Sequence, residues 1–470
     1  MNSSVFRPSD IRGVYPDELD EAFAFALGAA VARGLGATRL ACGHDARLSS
    51  PALYAHVLAG AQAVGTEVRG LGLCPTELVY FESGRGDCDV AVMVTASHNP
   101  PAYNGFKVVG AGNEPVLVEH IAGWMKQPLP HMPDETPAVP RPEPPLEAYM
   151  AEAFAVEPAE ALRGRRVAVD AGNGTAWTLW ETVARRVDCE LIPLNAEPDG
   201  HFPGRGPDPY EPGALEGLVE TVRRNRAEIG LAFDGDADRL AVVDASGAAL
   251  SGSEILALTA ERFLEEHKGE GTVACNLVTS RATLEHLENL GWQRYLVPVG
   301  HGLIKQRMRA DDRLLFAGEP SGHFFYRRLN CSDSAFLTSL LIIGLAGDLA
   351  KRRAALPGGW IRPARESRIR ADSRDQAVEA CRRAAAGYIR EELGSDGWRL
   401  ACEVRGAIVT GRDLSLIDDA TGVRCDAETA WFCLRPSGTE PILRVSGEAR
   451  SAETLEALLS GLTRRVREAR

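Results

Sequence analysis

Four short stretches of this chain carry residue types that could do chemistry together. The first, TASHNP at 95–100, sets the hydroxyl of Ser97 beside an imidazole and an amide just after the apolar run VAVMV. A serine on a strand-end loop stands among free backbone amides, a fitting place for a hydroxyl that takes up a phosphoryl group. The competing reading is a polar turn in which Ser97 and Asn99 bond only the backbone. A serine hydrolase is a third reading, but no Gly-x-Ser-x-Gly elbow surrounds Ser97.

The second stretch crowds Asp234, Asp236 and Asp238 into five residues directly after Leu231 to Phe233. Crowded carboxylates demand a cation, and hard oxygen ligands suit Mg²⁺. A calcium hand is excluded because Arg239 occupies the turn position that needs glycine. A solvated acidic turn remains the plain alternative. The third, GEPSGH at 318–323, offers a carboxylate, a hydroxyl and an imidazole that could bond sugar hydroxyls, or it is a proline turn. The fourth, RPSGTEP at 435–441, joins a guanidinium and two hydroxyls to a glycine that lets backbone amides approach an anion; a hairpin turn would use the same residues.

The elements that must position these groups form a repeated plan. Short apolar runs (Arg39 to Cys42, Val90 to Val94) alternate with a helical pattern at Glu21 to Arg33, which predicts an α/β domain. The proline-rich stretch from Gln127 to Pro145 reads as a linker. The pattern then restarts twice. RRVAVDAGNG, a helix at Trp177 to Arg186 and IGLAFDGDADR make one unit; a helix at Ser253 to His267, TVACNL, a helix at Arg281 to Leu290 and LLFAGEPSGH make another. From about Pro363, helices near Arg374 to Leu393 and Ala452 to Arg470 enclose strand-like runs at Leu400 to Val409 and Trp431 to Val445, a smaller α+β domain. The expected domains are 1–143, 144–247, 248–362 and 363–470. In the first three the polar motif follows a buried-looking strand, where open α/β sheets place their ligand sites.

The 470 residues are 45% hydrophobic and 25% charged, an ordinary globular composition with apolar material for several cores. A net charge of -13 argues against nucleic-acid binding, which rests on clustered Lys and Arg. Ten scattered cysteines without a Cys-x-x-Cys pair fit reduced thiols in a cytoplasmic protein. Neither a signal peptide nor a membrane span is expected, because the greasiest stretch, Leu337 to Leu349, is broken by Ser and Gly.

In chain order the four loops resemble those of the α-D-phosphohexomutase superfamily, leaning toward bacterial and archaeal phosphomannomutase/phosphoglucomutase, and the likeness spans nearly the whole chain. FRPSDIRG at 6–13, NGFK at 104–107 and GHGLIK at 300–305 share it. The resemblance implies three related α/β domains and a smaller C-terminal α+β domain, heart-shaped around a central cleft. It implies an enzyme interconverting hexose 1-phosphate and hexose 6-phosphate of mannose or glucose through phosphoserine and a hexose 1,6-bisphosphate. Ser97 would carry the phosphoryl group and share Mg²⁺ with Asp234, Asp236 and Asp238. Arg12, Lys107 and Arg239 would assist transfer. Gly300, His301, Glu319, Ser321 and His323 would meet the sugar, and Arg435, Ser437, Gly438 and Thr439 would hold the non-reacting phosphate. The implied partner is a phosphosugar, with no nucleic acid and no membrane, for a monomer or small homo-oligomer.

Two departures bear on substrate. Val278 stands where relatives often carry lysine, and RPSGTEP leans toward phosphoglucosamine mutases while GEPSGH and Gly300-His301 lean the other way. A phosphohydrolase with Asp234 as nucleophile is the alternative of another class, and it leaves three of the four loops unexplained.

Overall fold

A short apolar run bounded by turn residues fits a strand covered on both faces, and the strands at Val90–Val94, Ile229–Phe233 and Thr272–Asn276 are buried at every position. The structure, a computed structural model, describes residues 3–7, 10–133, 138–265, 271–363, 366–393, 397–404, 407–437 and 441–469. Met1–Glu266 with Ser321–Lys351 form one compact unit, and His267–Pro320 with Arg352–Arg470 form the other. The chain has a four-domain α/β architecture with mixed sheets and a C-terminal domain.

The first unit holds two mixed sheets of the same design. In one, Val90–Val94, Arg39–His44 and Glu67–Leu73 are parallel, and Tyr103–Gly110 and Ile11–Val14 add antiparallel. In the other, Ile229–Phe233, Arg166–Asp170 and Glu190–Leu194 are parallel, and Leu240–Asp244 and Ala249–Leu250 add antiparallel. Helices Glu21–Gly34 and Ser50–Gln62 cross backbone to backbone: a Cβ on Gly28 would lie 2.0 Å from the Val57 carbonyl oxygen, and one on Gly60 2.0 Å from that of Phe25. Helix Gly252–Leu264 begins at a reciprocal cap between Ser251 and Glu254. The greasy stretch becomes helix Ala335–Gly344, buried at nine of its ten positions. No helix among the described residues is long and apolar enough to cross a membrane.

The second unit joins three parallel strands, Gln293–Val297, Thr272–Asn276 and Leu314–Gly318, to an antiparallel sheet running from Ser367–Arg370 to Ala407–Gly411. Helices Arg374–Tyr388 and Ala452–Glu468 cover one face of that sheet around Phe432, Leu443 and Leu458, the α+β arrangement expected. On the other face, buried Arg424 lies 4.0 Å over the Trp431 ring and donates to the carbonyls of Leu277 and Thr279. The proline-rich stretch is tied along an edge, with the Glu143 amide bonded to the Gly70 carbonyl at 2.9 Å. All ten cysteines are free thiols.

Candidate active site

The serine loop leaves the strand Val90–Val94 and turns sharply. Ser97 is buried with φ +50°, a left-handed conformation that costs a non-glycine residue roughly 1–2 kcal/mol, so the surroundings must hold it. They do so through Arg47, a fully buried guanidinium that donates to the carbonyls of Ser97, Asn99, Pro100 and Tyr103 at 2.7–2.9 Å. Asp45 balances its charge at 3.0 Å. The Ser97 hydroxyl, thus aimed, donates to Asp234 Oδ2 at 2.7 Å. His98 Nδ1 lies 3.3 Å from Ser97 Oγ; burial, then Arg239 and Arg12, depress its pKa, so its imidazole is neutral.

The acidic loop reaches this point because Gly235 has no side chain: a Cβ there would lie 2.7 Å from the Ser97 carbonyl oxygen. Asp234, Asp236 and Asp238 are at most 1% exposed. Lys107 donates to Asp236 at 2.6 Å and also to Asp238, and the Thr76 hydroxyl donates to Asp236 at 2.5 Å. Asp234 Oδ1 accepts the amides of Asp238 and Arg239 at 3.1 Å each. Burial raises the Asp234 pKa, reinforced by Asp236 and Asp238. Asp236 moves the other way: burial alone would raise it, but Lys107 and Thr76 hold it below the usual carboxylate range. Burial likewise disfavours the Lys107 ammonium, yet Asp236 and Asp238 lift its pKa well above the ordinary value.

One ammonium cannot neutralise three carboxylates. Asp236 Oδ1 and Asp238 Oδ1 are buried with no hydrogen-bond partner among the described residues, and one oxygen from each of the three acids lies within 4.8 Å of the others. Orphaned carboxylate oxygens in a buried cluster are costly without a cation, and an all-oxygen set suits a hard divalent ion. The residues therefore fit a metal. Both Asp234 oxygens are engaged, Oδ1 by two amides and Oδ2 by the Ser97 hydroxyl.

Around this centre, Arg12 donates to Asp10, Asn99 and the Ala96 carbonyl, and Arg239 Nε lies 3.9 Å from Asp234. Arg239 Nε also donates to His323 Nε2 at 2.9 Å, which places the imidazole proton on Nδ1, facing Asp333 at 3.0 Å. Ser321 is exposed. In the second unit, Glu319 follows Leu314–Gly318, and its Oε1 accepts from Asn276 at 3.0 Å and from the Gly300 amide at 3.2 Å. His301 opens helix His301–Ala310. Arg435 and Arg444 are cross-strand partners that share Glu366, and the Nε of each is buried without a partner among the described residues. The Ser437 amide bonds the Ile442 carbonyl at 2.8 Å. Gly438 and Thr439 lie outside the described residues.

Sequence reasoning missed Asp45, Arg47, Thr76 and Arg444. The available signal was charge directly after the apolar run ending in His44, and an arginine within the apolar run ILRV.

A hydroxyl fixed against a buried acid cluster, with cations on its flanks, is an arrangement that suits phosphoryl-transfer enzymes on α/β sheets. Comparison with known proteins narrows it. The chain matches phosphoglucomutase/phosphomannomutase alpha/beta/alpha domains I, II and III over residues 3–123, 137–247 and 251–356, and the C-terminal domain over 366–463. It belongs to the phosphoglucomutase/phosphomannomutase family and is a phosphotransferase mutase. The "Phosphohexose mutases" protein of Xanthomonas campestris is 31% identical, covering 99% of this chain and 100% of the relative. A "Probable phosphoglucosamine mutase" of Methanopyrus kandleri is 33% identical, covering 96% and 95%. A crystal structure of a family protein from Burkholderia thailandensis superposes with TM-score 0.82 at 26% identity, covering 100% of this chain and 98% of that one.

Proposed function

We propose that this protein interconverts the 1- and 6-phosphates of mannose or glucose, with Ser97 as phosphoryl carrier and a hexose 1,6-bisphosphate as intermediate and activator. The observation that carries this reading is the 2.7 Å contact between the Ser97 hydroxyl and Asp234 across 137 residues of sequence. Phosphoserine gives its phosphoryl group to the free hydroxyl of the hexose phosphate, and the bisphosphate returns its other group to Ser97. Asp234, Asp236 and Asp238 hold Mg²⁺, which when bound supplies charge neutralisation for the transferring group. Lys107, Arg12 and Arg239 add positive charge around Ser97. Gly300, His301, Glu319, Ser321 and His323 bond the sugar, and Arg435, Ser437, Gly438 and Thr439 hold the phosphate that is not reacting. The orphaned Arg435 Nε supports this role, and Arg444 joins it on the same ground. The expected domain limits, 1–143, 144–247, 248–362 and 363–470, belong to this reading. So does a cytoplasmic monomer or small homo-oligomer, supported by ten unpaired thiols.

Ser97→Ala tests the reading. It abolishes conversion of mannose or glucose 1-phosphate to the 6-phosphate and removes the phosphate adduct from the intact mass; full turnover in the variant rejects the carrier role. A second reading, the same chemistry on glucosamine phosphates, is favoured by RPSGTEP and by the Methanopyrus relative. Side-by-side kcat/KM values on neutral and amino sugars decide, and a dominant amino-sugar preference replaces the first choice with the second.

A further inference from the structure

The three α/β repeats share a feature at the end of one strand. In each, a strand parallel to both neighbours terminates in a short polar residue: Asp45 just beyond Arg39–His44, Asp170 closing Arg166–Asp170, and Asn276 closing Thr272–Asn276. One of the flanking strands in each case leads into the loop that bears the functional group, namely Ser97, Asp234 or Glu319. All three polar residues are at most 1% exposed, and each makes at least one hydrogen bond that leads to that loop.

Asp45 Oδ2 accepts the Thr95 hydroxyl at 2.7 Å, and Thr95 Oγ1 accepts the Ser97 amide at 2.8 Å. Asp45 also holds Arg47, whose other protons go to three carbonyls of the serine loop and to that of Tyr103, where the next strand begins. Asp170 does the same one repeat later. Its Oδ2 accepts Arg205 Nε at 2.7 Å, and Arg205 Nη2 donates at 2.5 Å to the carbonyl of Phe233, the residue before Asp234. In the third repeat the amide is direct: Asn276 Nδ2 donates to Glu319 Oε1, while its Oδ1 accepts the Val278 amide and the Thr279 hydroxyl. The chemistry matches each loop. A loop offering carbonyls needs a guanidinium with an acid behind it, whereas a loop offering a carboxylate needs a neutral donor that brings no second negative charge.

We propose that Asp45, Asp170 and Asn276 are equivalent positioning residues, one per repeat, each setting a different parameter of the reaction: phosphoryl transfer at Ser97, metal affinity at Asp234, and sugar affinity at Glu319. The proposal rests on the function proposed above. All three side chains are buried. They act through the loops they hold, as residues behind a reacting group do.

Charge-switching variants of unchanged shape separate this from a general scaffolding role. Asp45→Asn lowers kcat about tenfold and leaves the KM for hexose 1-phosphate and the metal Kd unchanged. Asp170→Asn raises the Kd for Mn²⁺, titrated by the electron paramagnetic resonance of the free ion, about tenfold without moving the sugar KM. Asn276→Asp raises the sugar KM about tenfold and leaves Mn²⁺ binding unchanged. Should Asp45→Asn or Asp170→Asn fail to fold, Arg47→Lys and Arg205→Lys read the same two parameters; Asn276→Ala reads the third. The proposal is overturned if the variants shift the same parameters together, as a shared loss of active protein does, or if they keep wild-type values. A wild-type protein without mutase turnover overturns the functional reading instead, and the Mn²⁺ titration still tests Asp170 without any turnover.

Discussion

Replacing Lys107 by methionine keeps an unbranched side chain out to the fourth heavy atom and deletes the ammonium that reaches both Asp236 and Asp238. At 2.6 Å, a unit-charge pair is worth roughly 6 kcal/mol at an effective dielectric of about 20. Desolvating the ammonium takes several of those back, so the expected net loss is about 3–5 kcal/mol, the usual cost of stranding a buried charge. The loss falls mainly on the protein without metal, because a divalent cation neutralises the same carboxylates. It also shrinks at low pH, where protonation relieves the stranded acids. Urea unfolding at pH 8, followed by tryptophan fluorescence in EDTA and again in Mg²⁺, measures both effects. Lys107→Met loses about 3–5 kcal/mol in EDTA, and Mg²⁺ restores more in the variant than the ~2.7 kcal/mol that ligand at a hundred times its Kd adds to the wild type. A variant within about 1 kcal/mol of wild type in EDTA, or one that gains no more from the cation, refutes the charge accounting.

Glu77 gives a pH prediction: burial lifts its carboxyl from 4.5 to about 8, although Tyr149 donates to it at 2.6 Å. The stability of its neutral form is whole below 4.5 and lost as pH rises to about 8, so Glu77→Gln matches wild type in Tm at pH 5 and exceeds it at pH 8.5. The gain is at most about 4–5 kcal/mol, and equal Tm values at both pH values contradict it. Gly60→Ala tests the helix crossing: the new Cβ would meet the Phe25 carbonyl oxygen at 2.0 Å. It destabilises by about 2–3 kcal/mol despite the better helix propensity of alanine, and a raised Tm contradicts the packing.

Much of the scaffold was legible because burial on two faces leaves a plain trace. VAVMV and IGLAF read as buried strands and are so, and the helix at Trp177–Arg186 has the expected bounds. Other limits were coarser. The run at Leu400 to Val409 is two antiparallel strands, Trp398–Val404 and Ala407–Gly411, and that at Trp431 to Val445 is likewise two, Ala430–Pro436 and Ile442–Ala449. An alternating pattern has the same period in both members of a hairpin. The helix expected from Arg374 to Leu393 ends as an α-helix at Tyr388 and continues as a wider turn over Ile389–Leu393. The groups that hold the site were the least legible. Arg47 and Arg205 belong to none of the four motifs, and a single sequence does not show which carbonyls a guanidinium will find.

By itself, the sequence determined the inventory: a serine, three crowded acids and the carboxylate of Glu319, each placed after an apolar strand. Those are local properties, written in spacing and hydropathy. Only the tertiary structure decided that the Ser97 hydroxyl meets Asp234, that Lys107 and Thr76 serve Asp236, and that Asn276 holds Glu319. Such contacts join residues 43 to 160 positions apart. They depend on how sheets bring strand ends together, and no local pattern encodes that.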